Sequence, residues 1–132
     1  VLLRGNIMKV SKNFQDYEFA CKGKAQGKIC CDSMMMLNQE LIEVLQDIRD
    51  YFASSVKITS SYRCPIHNKR VGGVWNSQHL LGTAADIQVS GIVPLEVAQY
   101  VDRKHLDTYG IGIYNTFTHI DVRTKRARWD NR

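Results

Sequence analysis

An α+β domain with a small, mainly antiparallel sheet and flanking helices is the fold class this sequence predicts. Three observations carry it: a long amphipathic helical period ending near residue 52, β-rich runs at 56–62, 84–89 and 110–122, and a turn inside the last run. At 132 residues, the chain has the length of one domain. It is read as an N-terminal tail over 1–13 followed by a single domain over 14–132.

The elements follow in order. Val1–Ile7 is too short and too interrupted for a secretory signal, and Met8-Lys9-Val10 reads as a natural start after an upstream extension. The expectation is therefore synthesis in the cytoplasm. Phe14 to Cys31 is a loop-rich lead-in with Gly23 and Gly27 among Lys22, Lys24 and Lys28. Asp32 or Ser33 is then placed to cap a long helix whose first turn holds Met34-Met35-Met36. Leu37, Leu41, Val44, Leu45, Ile48 and Phe52 recur at spacings of three and four, with Glu40, Glu43, Asp47 and Asp50 mainly on other faces. Val56–Tyr62 is β-rich and reads as a strand.

Pro65 suits the first position of a short helix that ends before Gly72-Gly73. Ala84–Val89 alternates as a second strand. Pro94 opens another helix carrying Leu95, Val97, Ala98, Val101 and Leu106, with His105 near its end complementing the helix dipole. Gly110–Tyr114 and Phe117–Val122 form a hairpin around Asn115-Thr116. No repeat or low-complexity segment interrupts the pattern, and no apolar run approaches the ~20 residues a membrane helix needs.

The net charge is +5, and Arg123, Lys125, Arg126, Arg128 and Arg132 gather at the end. They read as a solvated terminus that also favours encounter with an anionic polymer such as a bacterial cell wall. No base-reading module accompanies them, so nucleic acid is not an expected partner. Cys21, Cys30, Cys31 and Cys64 lack paired C-x2-C spacing. They are read as buried free thiols or one loop disulfide, rather than as a second metal site, with the reduced state favoured.

The chemistry concentrates in Ser77-Gln78-His79-Leu80-Leu81-Gly82-Thr83-Ala84-Ala85-Asp86, with His119-Ile120-Asp121 far downstream. Neutral imidazole and carboxylate are ligand types that suit Zn²⁺, and three protein ligands with an open fourth position describe a catalytic zinc site. Side chains alternate along a strand, so His119 and Asp121 share one face while Thr118, Ile120 and Val122 take the other. Asp86 converges on His119 if their strands are neighbours, and Gly82 lets the chain bend His79 back towards them. Spacing alone leaves a second reading open, in which His and Asp simply line a solvent-facing edge.

The full pattern, Ser77-x-His79-x2-Gly82-x-Ala84-x-Asp86 with His119-x-Asp121, resembles the zinc D-Ala-D-Ala carboxypeptidases, in particular short single-domain phage and prophage members. Ser60-Ser61-Tyr62-Arg63-Cys64-Pro65 is similar to the family's Ser-Gly-Tyr-Arg-Ser stretch. Asn68, Val71-Gly72-Gly73-Val74 and Asn76-Ser77 match the link into the metal motif. Phe14, Glu18, Phe19 and Cys21 resemble the opening of such domains, and the similarity spans about residues 14–129.

The resemblance implies a hedgehog/DD-peptidase-like fold and Zn²⁺ held by His79, Asp86 and His119, with a water completing the site. It implies that Arg63 binds the carboxylate of a peptidoglycan stem peptide, that Ser77 orients a ligand or substrate, and that Trp129, with Trp75, lines the cleft or packs in the core. The expected activity is a peptidoglycan carboxypeptidase or stem-peptide endopeptidase, acting as a monomer with no nucleic-acid or membrane partner. One departure stands out. Related dipeptidases carry a glutamate base three residues before the last His ligand, and here that position is Thr116. Asp121 is the available carboxylate, either as base or as a partner that orients a ligand. The alternative is a non-catalytic phage structural or wall-binding module that keeps the zinc scaffold.

Overall fold

The computed structural model describes residues 2–3, 8–25, 28–31 and 34–132. The chain begins with a short strand β1 (Leu2–Leu3) and a 3₁₀ turn at Asp16–Phe19. A small hairpin follows, of β2 (Lys24–Ala25) and β3 (Lys28–Ile29), and then β4 (Met35–Met36) pairs antiparallel with β1. Helix α1 (Gln39–Phe52) leads to β5 (Val56–Ser60), the short helix α2 (Pro65–Arg70) and a second 3₁₀ turn at Gln78–Leu81. Strand β6 (Ala84–Val89), helix α3 (Pro94–Lys104), β7 (Gly110–Ile113), β8 (Thr118–Asp121) and β9 (Ala127–Asp130) complete the fold. The central sheet has the order β5-β6-β8-β7-β9, antiparallel except for the parallel β7–β9 pair. The α+β class and the mainly antiparallel sheet are as the sequence predicts.

One boundary differs. Asp32 and Ser33 lie outside the described residues, but Met35 and Met36 are extended and paired with Leu3 and Leu2, not helical. The helix starts at Gln39 because Asn38 is extended and its side-chain oxygen accepts the Leu41 N–H at 2.9 Å, an N-cap that satisfies one of the helix's free donors. A second difference is at the C-terminus. The basic stretch read as a solvated end instead supplies β9, whose Arg128 donates to Asp102 of α3 at 2.7 Å and to the Tyr109 carbonyl at 2.7 Å. The helix predicted from Pro94 stops at Lys104, with His105 as its C-cap and Leu106 exposed beyond it. Within the stretch read as a tail, Lys9 bridges to Gln15 and Val10 packs against the core.

Helices α1 and α3 cover one face of the sheet. Leu41, Ile42, Val44, Leu45 and Ile48 of α1, with Val97 and Val101 of α3, bury against Ile58, Ala85, Ile87, Ile111 and Ile120. Each large apolar side chain among them contributes about 1.5–3 kcal/mol by leaving water. Two polar ties hold α1 in place: the Tyr100 hydroxyl of α3 donates to Asp47 at 2.6 Å, and the Tyr109 hydroxyl, just before β7, to Glu40 at 2.7 Å. Because strand side chains alternate, burying Ala85, Ile87 and Ile120 on the helix side commits Asp86, His119 and Asp121 to the opposite face.

Candidate active site

Asp86 and His119 are direct cross-strand partners in β6 and β8, and Ala84 likewise faces Asp121. Direct opposition brings Cβ atoms to roughly 5 Å, close enough for the His119 ring to reach the carboxylate: Nδ1 lies 2.9 Å from Asp86 Oδ1. His79 arrives from the 3₁₀ turn. Ser77 caps that turn by accepting the His79 N–H at 3.2 Å, and Gly82 ends it in the left-handed region at φ 72°. A Cβ at Gly82 would also press on Met36 of β4 at 2.6 Å, so glycine is required there for conformation and for space.

The turn places His79 Nε2 at 3.3 Å from the same Asp86 oxygen. Two imidazole nitrogens and one carboxylate oxygen therefore converge, all buried. Backbone and side-chain partners fix which nitrogen faces inward. His79 Nδ1 lies 2.7 Å from the Ser61 carbonyl, an acceptor, so it carries the proton and leaves the Nε2 lone pair directed at Asp86. His119 Nε2 lies 2.8 Å from Asp121 Oδ2 and donates its proton there, leaving Nδ1 on the inner side. This is the ligand-orienting arrangement common around metal-bound histidines.

Electrostatics agree with the geometry. Burial opposes charge on Asp86, but hydrogen bonds with His119 and His79 outweigh it and hold the carboxyl well below its usual range. Burial likewise disfavours a charged His119 ring, yet its bonds to Asp121 and Asp86 win and raise its pKa. For Asp121, burial is again overcome, here by bonds from His119 and Arg123. Arg123 grips that carboxylate with Nε at 2.7 Å and Nη2 at 2.7 Å, a bidentate fork.

The donor set fits a divalent ion such as zinc. Imidazole and carboxylate match its ligand preferences, the outer partners Ser61 and Asp121 stand where they can hold the imidazole protons away from the centre, and the carboxylate stays ionised.

The three donors face a cleft of ≈ 750 Å³ whose lining includes Arg63, Ser77, Tyr114, Arg123 and Trp129. Arg63 stands beside the carboxylate, its Nη2 3.5 Å from Asp86 Oδ2, and is oriented by Ser60 and Asn68. Trp129 packs its ring 5.1 Å from that of His119 and donates Nε1–H to the Tyr114 hydroxyl at 3.0 Å. Trp75, by contrast, is 87% exposed and outside the lining residues. Thr116 is exposed at the hairpin tip, where its carbonyl accepts from Gln88. Asp121 is fully buried behind His119 and does not face the cleft; among the described lining residues Asp86 is the only acid.

Sequence reasoning gave no role to three participants. Asn68 is buried and links Arg63 to the Val74 carbonyl, and a Cβ at Gly73 would collide with its side chain. Ser61 supplies the carbonyl behind His79. Arg123 was counted with the basic terminus, although its position two residues after Asp121 puts it within reach of that carboxylate.

The His79, Asp86 and His119 side chains form a group that could hold a metal ion, and comparison gives the family. The family model for peptidase M15 matches residues 12–121. The chain belongs to that family, whose members are zinc-dependent peptidases. None of the curated proteins compared with it matches significantly.

Proposed function

We propose that the chain is a zinc-dependent peptidoglycan peptidase that cleaves the D-Ala-D-Ala bond or another stem-peptide bond. The observation that carries this reading is the convergence of His79 Nε2, Asp86 Oδ1 and His119 Nδ1 beside the Arg63 guanidinium in one cleft. Zinc at these atoms would supply a Lewis acid and a bound water of lowered pKa. The chain's own groups then have separable tasks. Ser61 and Asp121 hold the outer imidazole protons and so keep the inner lone pairs in place. Arg63, preset by Asn68 and Ser60, presents its free donors to a peptide carboxylate, which a planar guanidinium binds more selectively than an ammonium.

Of the two roles open to Asp121, the geometry supports positioning. A carboxylate that is buried, gripped by Arg123 and depressed in pKa is a poor proton acceptor.

The test combines zinc content with release of peptide fragments from purified cell-wall peptidoglycan, for wild type and His79→Ala. Wild type is expected to bind zinc through this site and release D-alanine or a stem fragment, and His79→Ala to lose both. A wild type that binds zinc here yet releases nothing from any peptidoglycan chemotype would overturn the peptidase reading and leave the non-catalytic scaffold.

A further inference from the structure

Cys21, Cys30, Cys31 and Cys64, scattered in sequence, come together in space. Their sulfur atoms all lie within 4.8 Å of one another. The Cys21–Cys30 separation is 3.6 Å and the Cys30–Cys31 separation 3.9 Å. Disulfide sulfurs sit about 2.05 Å apart, so these are free thiols. The distances instead approach the edges of a tetrahedron: with metal–sulfur bonds of about 2.3 Å, neighbouring sulfurs are about 3.8 Å apart.

Two backbone N–H groups point at sulfur atoms of the cluster. The Cys64 N–H points to Cys21 Sγ at 3.4 Å and the His67 N–H to Cys64 Sγ at 3.5 Å. Gly23 leaves the room that Cys30 uses, since a Cβ there would collide with the Cys30 sulfur and press on His67 at 2.7 Å. The cluster also has a structural task to perform. It forms the centre of a small satellite core with Tyr62, Met34 and Met36, separate from the main one.

We propose that these four cysteines form a second, structural zinc site, independent of the His79–Asp86–His119 centre. Binding replaces four S–H bonds by four Zn–S bonds and releases four protons to solvent, with no change of oxidation state. Four thiolates close the coordination sphere, so the site staples and does not catalyse. It clamps the β2–β3 hairpin against Cys64 and thereby fixes the backbone of its neighbour Arg63, whose N–H donates to the His79 carbonyl at 3.0 Å.

The spacing hid this site because the hairpin, not the sequence interval, brings Cys21 beside Cys30, and because Cys64 joins from a distant strand end.

The full chain is prepared reduced and loaded with zinc, and metal content is measured for wild type, His79→Ala and the double variant Cys30→Ser/Cys31→Ser. The expected contents are about two, one and one zinc per chain, as a structural and a catalytic site each bind one ion. Cobalt replacement gives a readout that needs no cysteine substitution: a sulfur-to-cobalt charge-transfer band in wild type that persists in His79→Ala. Zinc content unchanged by the cysteine substitutions would overturn the proposal. So would the absence of the cobalt–thiolate band in the folded wild type. A failure of the histidine centre alone appears only as one zinc retained in both wild type and His79→Ala, with the band intact.

Discussion

Asp121 is the residue at which the two chemical accounts of the site diverge, and a single substitution separates them. Asn at this position keeps an oxygen that can accept the His119 proton but removes the charge that Arg123 holds. A positioning carboxylate predicts that Asp121→Asn lowers zinc affinity by about 10- to 100-fold, with turnover largely recovered at saturating zinc. A general base predicts the reverse: unchanged zinc affinity and turnover that excess zinc does not restore. Arg63 is testable at the same scale. Arg63→Ala is expected to cost about 10- to 100-fold in kcat/KM, the loss of a charge-assisted contact. The loss should fall mainly on KM, with zinc content unchanged; a variant with wild-type KM would remove Arg63 from substrate binding. His79, Asp86 and His119 were legible in sequence because strand alternation and a glycine bend are enough to bring them together. The job of Asp121 was not, because its orientation depends on Arg123 and on a glycine in the neighbouring strand.

That glycine belongs to the scale of elements. Gly110 in β7 is paired with Asp121 in β8, and a Cβ there would collide with the carboxylate. Gly110→Ala should therefore displace Asp121 and lower zinc affinity in the same sense as Asp121→Asn, although it touches no ligand. Gly91 is the control. Its φ is +76° and a Cβ there would meet only open space, so Gly91→Ala should cost about 1 kcal/mol of stability in urea and leave zinc binding alone. Equal effects of the two substitutions on zinc would contradict the assigned role of Gly110. Strands with clear alternation, the Pro-led helices and the hairpin around Asn115-Thr116 were readable locally. The start of α1 was not, because Met35 and Met36 take their conformation from pairing with Leu3 and Leu2, a contact far away in sequence. Strand β9 was missed for a related reason: Arg128 looks like a solvated charge until Asp102 and the carbonyls around Tyr109 surround it.

At the scale of the whole molecule, two helices pack on one sheet face and leave the other for chemistry. The two tyrosine ties to α1 give that packing a pH signature. Burial and the hydrogen bond to Glu40 push the Tyr109 hydroxyl up to about 12, and burial with the Asp47 bond raises the Tyr100 hydroxyl in the same sense. A folded pKa above the unfolded value of roughly 10 means that the contribution is complete below about pH 10 and is lost as pH rises through the folded value. Urea stability should therefore fall above about pH 10, and the fall should flatten in Tyr100→Phe/Tyr109→Phe. A double variant with the same alkaline slope as wild type would show that these ties do not couple to folding. No helix among the described residues is long and apolar enough to cross a membrane.

The central claim, a metal held by three side chains from one turn and two strands, is tested most directly by an anomalous-difference map from crystals of the zinc-loaded protein. The account predicts a zinc peak about 2.0–2.2 Å from His79 Nε2, Asp86 and His119 Nδ1, with Asp121 behind His119 and off the metal. A zinc-loaded crystal without a peak at that position, or with His119 turned to bind through Nε2, would contradict it.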